Sequence, residues 1–148
     1  MKNTGTGMML ASRKSATATP LADGRVLVCG GQDMDGNALA TAEMFNPATG
    51  AFTPVGNLNS ARYAHAAMRR GSGVVLVVGG QTTGGGFLDS AEIFSPSTLT
   101  FSTVATRLSS GRSGHAMALL ADGRMLVTGG AIDGEAAIAL AELYTAIF

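Results

Sequence analysis

Short apolar runs, each bracketed by the same polar punctuation, organise this chain. Val26-Leu27-Val28-Cys29, Val74-Val75-Leu76-Val77-Val78 and Met125-Leu126-Val127 each follow a glycine-containing turn and soon meet a Gly-Gly pair. Apolar runs this short, bounded by turn residues, read as strands, and unbroken apolar character suits strands covered on both faces. The preceding turns are Asp23-Gly24, Gly71-Ser72-Gly73 and Asp122-Gly123. They predict tight hairpins, since glycine accepts positive φ without steric cost. A short strand must therefore precede each run, and the Ala/Met/Leu-rich segment 113–120 is the candidate in the third case. A third strand carries Ala-Glu-apolar-aromatic at 42–45, 91–94 and 141–144. Turns with proline cues follow at 46–50 and 95–99, and a fourth strand starts at Phe52 or Phe101.

The pattern repeats. Gly30-Gly31, Gly79-Gly80 and Gly129-Gly130 are spaced by 49 and 50 residues. Glu43, Glu92 and Glu142 share those intervals, as do Arg13, Arg62 and Arg112. A period near 50 with four antiparallel strands per unit predicts an all-β fold of propeller blades. The expected units are 9–57, 58–107 and 108–148. Phe52 to Arg62 is ten positions and Phe101 to Arg112 is eleven, which places the extra residue in the fourth strand or the link after it. Surface links absorb such insertions. The third unit lacks a fourth strand of its own, and residues 3–8 align with that position.

These residues resemble the kelch repeat of β-propellers. The resemblance rests on Arg62-Tyr63-Ala64-His65, the hairpin, Val77-Val78-Gly79-Gly80, Ala91-Glu92-Ile93-Phe94, Ser95-Pro96 and Phe101. The hairpin form Leu21-Ala22-Asp23-Gly24-Arg25 is similar to the bacterial variant, related to the propeller of galactose-oxidase-like proteins. It spans roughly residues 9–148. Where the family usually opens its fourth strand with Trp, this chain has Phe52 and Phe101, which keep an apolar plug but lose the indole N–H.

Composition narrows the function classes. Of 148 residues, 46% are hydrophobic and 14% charged, which argues against disorder. Ten basic and ten acidic residues leave no basic footprint, so nucleic acid is not an expected partner. One cysteine excludes an internal disulfide and a cysteine-based zinc site. No run approaches the ~20 apolar residues of a membrane-spanning helix, and the N-terminus shows no signal-peptide core. No membrane partner is expected, and the compartment stays open between cytoplasm and exterior. The 21 glycines mark strand ends, hairpins and loops.

Propellers close with about 4–8 blades, so three units call for more. The expected solution is a homodimer forming a six-bladed ring, with each N-terminal segment completing the other chain's last blade. The alternative is a piece of a longer propeller.

Several residue sets suggest chemistry. Arg13, Arg62 and Arg112 with Glu43, Glu92 and Glu142 read as structural ion pairs between strands or blades, against a substrate-binding role. His65 and His115 lie three residues after an arginine, where the first unit has Ala16. They read as hydrogen-bonding residues at the start of the innermost strand, against ligand or metal binding. Asp33-Met34-Asp35-Gly36-Asn37 resembles the start of a calcium loop, but its glycine falls at the fourth position and Met44 at the twelfth. It reads as a polar turn. Cys29, Tyr144 and the two histidines evoke a copper-radical centre only by analogy, since each occupies an ordinary repeat position. Gly84-Gly85-Gly86 reads as a flexible loop without the context of a phosphate site. No catalytic residue, metal or cofactor is assigned.

Topology puts the links at 60–65 and 109–115 on the same face as the loops at 32–41, 81–90 and 131–140. The expected partner-binding face comprises Gln32, Asp33, Arg62, Tyr63, His65, Gln81, Arg112, Ser113 and His115. The resemblance implies that such a face binds proteins or sugars, and the expected function is a non-catalytic module that binds protein partners. The alternatives are a carbohydrate-binding or carbohydrate-active propeller and a purely structural self-assembling unit.

Overall fold

The computed structural model describes residues 2, 4–133 and 136–145. Asn3, in the expected strand-supplying segment, and 134–135 and 146–148, in the third unit, lie outside them. Each unit folds as an antiparallel meander. The first comprises β1 (Thr17–Pro20), β2 (Val26–Cys29), β3 (Ala42–Asn46) and β4 (Ala51–Pro54), in spatial order β1-β2-β3-β4. The second comprises β5 (Ala66–Arg69), β6 (Val75–Val78), β7 (Ala91–Ser95) and β8 (Thr100–Val104), in the same order. The third comprises β9 (Ala116–Leu119), β10 (Met125–Thr128) and β11 (Ala141–Tyr144), a three-stranded sheet. No helix occurs among the described residues, and none is long and apolar enough to cross a membrane.

The first strands are shorter than the apolar pattern suggests. β9 begins at Ala116 rather than 113, because Ser113 is spent on a bridge to Ala131 and Gly114 turns away at φ +65°. β5 lies beside both β1 and β9, so the three first strands form the inner edge of the blades.

Stacking of the blades produces the core. Leu27, Cys29 and Met44 of the first blade pack against Val75, Val77 and Phe94 of the second. Leu76, Val78 and Ala91 of the second pack against Met125, Val127 and Tyr144 of the third. Alternate residues of a strand face opposite sides. Hence β6, covered by a blade on each side, is buried at all four positions. β2 and β10, covered on one side in this chain, alternate between buried and half-buried. The unbroken apolar runs are therefore fully used only in the middle blade.

Phe101 sits 5.0 Å from Phe94 in a tilted pair and packs against the first inter-blade core. It fills the role of plug expected of it. Phe52 makes the same pair with Phe45 at 4.9 Å.

The Gly-Gly pairs mark where the next blade crosses. A Cβ on Gly79 (φ +66°) would lie 2.7 Å from the Arg112 carbonyl and 2.6 Å from His115 Cε1. Gly80 donates to that same carbonyl at 2.8 Å. Only a residue without a side chain, free to adopt positive φ, permits this approach.

Candidate functional site

The repeated arginines and glutamates pair within each blade. Each arginine sits in the link before the first strand, and its glutamate lies on the third strand. Arg13–Glu43, Arg62–Glu92 and Arg112–Glu142 meet at 2.6, 2.9 and 2.5 Å. The middle pair is the most completely satisfied. Arg62 Nε donates to the Ser60 carbonyl, Nη1 to the Gly79 and Ser90 carbonyls, and Nη2 to Ser90 Oγ and Glu92. That accounts for the five N–H donors of a guanidinium. Glu92 also accepts from the Asn59 and Ser60 amides and from Asn59 Nδ2. Glu43 accepts likewise from the Leu10 and Ala11 amides, and Glu142 from the Ser109 amide and hydroxyl. The pair therefore fastens the incoming link to the middle of its blade.

Electrostatics follow from this sealing. Burial pushes Arg62 below its ordinary value, opposed by the charge and hydrogen bond of Glu92. Burial alone would raise Glu43, but the Leu10 amide, Arg13 and the Ala11 amide together bring it below the usual carboxylate range. Arg62 and Arg112 are wholly buried. The expectation that they line an accessible binding face is therefore corrected. Their charge is consumed inside the blade, where desolvation demands a partner.

The histidines are interior too. His65 Nε2 lies 2.8 Å from Thr17 Oγ1 and 3.8 Å from Cys29 Sγ, across the junction of the first two blades. Burial first, then the positive charge of Arg62, pulls His65 down to about 3. His115 holds the equivalent place one blade on and is also buried. There Thr17 and Cys29 are replaced by Ala66 and Val78, and neither ring nitrogen has a hydrogen-bond partner among the described residues. Burial, then Arg112, pulls it down to about 4. Both rings are neutral at physiological pH. Cys29 is buried, and burial pushes its thiol up to about 11, far from the thiolate that chemistry requires. We expect His115→Leu to stabilise the chain by about 1–2 kcal/mol, since removing an unsatisfied buried polar group recovers its desolvation cost. His65→Leu should destabilise it, because Thr17 loses its shorter hydrogen bond and keeps only the weak one to Cys29 Sγ. Urea midpoints for the two variants check this opposition.

Links and loops do share one face. Lys14 bridges Gln32, Tyr63 bridges Gln81 and Ser113 bridges Ala131, each joining a link to the loop after a second strand. Ser113 is buried there with His65 and His115, whereas Gln32, Asp33, Tyr63 and Gln81 are half-buried and reach the surface. Asp33 accepts from the Asp35 and Asn37 amides and from Asn37 Nδ2 at 2.8–3.0 Å. Hydrogen bonds from Asn37 hold its carboxyl below the usual range. These bonds close the polar turn expected at 33–37 and occupy the carboxylate. Beside it Met34 is 90% exposed, over an open cavity of about 230 Å³ lined also by Lys14 and Gln32.

A larger cleft on this face has no counterpart among the sequence motifs. It measures about 510 Å³ and is lined by Gly84, Gly85, Gly86, Phe87, Ser110, Gly111, Ile132 and Asp133. Its one signal in the sequence is the glycine triplet, which leaves space where side chains would stand. Ser110 Oγ is buried without a hydrogen-bond partner among the described residues. No group of three or more His, Cys, Asp or Glu able to hold a metal occurs among the described residues.

No curated protein matches this chain. The profile of the Kelch motif family matches residues 13–59 and 62–107. Those segments cover the first two blades with their Arg–Glu pairs, and the third repeats the same pair and glycines. The chain belongs to the Kelch motif family.

Proposed function

We propose that this chain is a non-catalytic binding module that engages protein partners through its loop face, presented by a six-bladed ring of two chains. Kelch motifs commonly mediate protein–protein interaction. The observation carrying the reading is the division of labour along the repeat. The repeated arginines and glutamates and His65 are spent on internal bonds and His115 is buried, while the loops offer an irregular surface of exposed apolar and polar groups. Met34 is the most prominent of these. A flexible exposed methionine suits a partner surface better than a reaction centre. Tyr63, Gln32 and Gln81 lie alongside, and the cleft around Phe87 and Asp133 adds a concave element between the second and third blades.

The test is capture from a cell lysate by immobilised chain. Met34→Glu with Tyr63→Ala and Gln81→Ala should abolish retention of specific partners. Ala22→Glu with Ser97→Glu, on the opposite hairpin face, should leave it intact. Equal retention by both variants would sink the loop-face assignment.

A further inference from the structure

Each blade's loop after its second strand adjoins the next blade's loop, and equivalent residues stand at the two gaps. Ala38 and Phe87 are equivalent, 49 residues apart, as are Thr83 and Asp133, 50 apart. Between the first two blades Ala38 N donates to Thr83 Oγ1 at 2.8 Å and ties the loops together. Between the second and third no such tie forms. Neither Phe87 N nor the Asp133 carboxylate has a hydrogen-bond or ion partner among the described residues. The cleft of about 510 Å³ opens at this untied gap.

Backbone conformation keeps the cleft empty. Gly84 and Gly85 stand at φ +90° and +91°, which strains any side chain, and a Cβ on either would meet nothing within 4 Å. The floor is fixed. A Cβ on Gly111 would strike the Phe87 carbonyl, so link and loop lie in contact there. Arg112 N donates to Leu88 O at 3.1 Å and Gly80 N to Arg112 O at 2.8 Å. All of these walls belong to two adjoining blades of one chain.

The polar groups of the cleft call for a cation. An ionised carboxylate only accepts hydrogen bonds, and one drawn out of water at an interface needs a charged partner. Ser110 Oγ is a further acceptor without a partner among the described residues. Phe87 adds an aromatic ring, which attracts cations. The rest of the face has the same sign. Six ion pairs, three inside the blades and three at the surface, neutralise most of the charge of the described residues. The described acids outside them are Asp33, Asp35 and Asp133, all in the loops after second strands. Lys14 is the described base on that face outside these pairs. Arg69 and Arg70 lie at the opposite hairpin. A chain of zero formal charge is thus polarised from face to face, and its loop face complements a basic partner.

We propose that the cleft between the second and third blades seats a lysine or arginine side chain of the partner protein, paired with Asp133. This rests on the loop-face reading above and names the chemistry of the partner. Phe87 N then donates to a carbonyl of the same partner segment, as Ala38 N does to Thr83 Oγ1 at the first gap.

Selection of a phage-displayed library of random dodecapeptides on the immobilised full chain tests this, followed by fluorescence anisotropy of the best-retained peptide. Selected peptides should be enriched in lysine or arginine over the starting library. Asp133→Asn, which keeps the shape and removes the charge, should weaken binding roughly fivefold. Asp133→Thr, which also supplies the hydroxyl that ties the first gap, should weaken it further. Asp35→Asn, an exposed charge of the same face outside the cleft, should change it by less than about twofold. Asp133 is exposed, and an unchanged urea midpoint for Asp133→Asn shows that the fold is kept. No retained peptide, peptides without basic enrichment, or binding indifferent to Asp133→Asn overturns the cleft assignment. It does so even where Met34→Glu with Tyr63→Ala and Gln81→Ala abolishes retention, which would leave the loop-face reading standing. Retention abolished only by Ala22→Glu with Ser97→Glu overturns both.

Discussion

Replacing Arg62 with methionine is expected to cost about 3–5 kcal/mol, the usual penalty for stripping one partner from a buried ion pair. Methionine keeps much of the aliphatic stem but withdraws all five donors. Glu92 would then stay buried with amide donors alone, the Gly79 carbonyl would lose its donor, and the Ser90 carbonyl would keep only the Gly79 amide. Arg112→Met should cost less. Glu142 is 21% exposed against 1% for Glu92, so water can take over part of its solvation. Urea unfolding of the two variants gives the comparison directly. Adding Glu92→Met to Arg62→Met should recover part of the loss, and the cycle reads the coupling. Additive effects would show that Arg62 and Glu92 act independently.

Acid should unfold the chain through its histidines. His65 titrates near 3 and His115 near 4 in the folded chain, both below the ordinary 6.5. A depressed folded value means the unfolded chain binds protons first. The contribution is complete above about pH 6.5 and is lost as pH falls towards 4 and then 3. Every tenfold loss of proton affinity on folding is worth about 1.4 kcal/mol. The two rings together should therefore remove several kcal/mol between pH 7 and 4, a large part of the stability of about 5–15 kcal/mol usual for a domain. Glu43 acts in the same direction at lower pH, below its ordinary 4.5. Urea midpoints from pH 7 to 4 measure the slope, and His115→Leu should flatten it. A midpoint constant across that range would mean the rings are not held neutral.

The repeat was readable because each of its marks answers a local demand. Asp-Gly hairpins need positive φ, the third strand needs its glutamate beside the arginine, and the Gly-Gly pairs need room for a carbonyl. These demands are local to a blade or its neighbour, so they recur at 49 and 50 residues and appear in a single sequence. The binding face was less readable. Residues with the same offset from Gly-Gly differ in accessibility, and Arg62, Arg112, His65, Ser113 and His115 proved interior. The cleft around Phe87 and Ser110 has no motif, because its walls come from two loops and a link far apart in the chain.

The sequence by itself determined the blade: strand order, hairpins, the Arg–Glu staple and the family. Each depends on contacts within about one period. Only the tertiary structure decided which apolar residues are covered. Leu27, Leu76 and Leu126 are equivalent along the chain, yet the first two are buried and the third is half-buried. The difference lies in whether a neighbouring blade stands against them, and burial is a property of the stack rather than of the repeat.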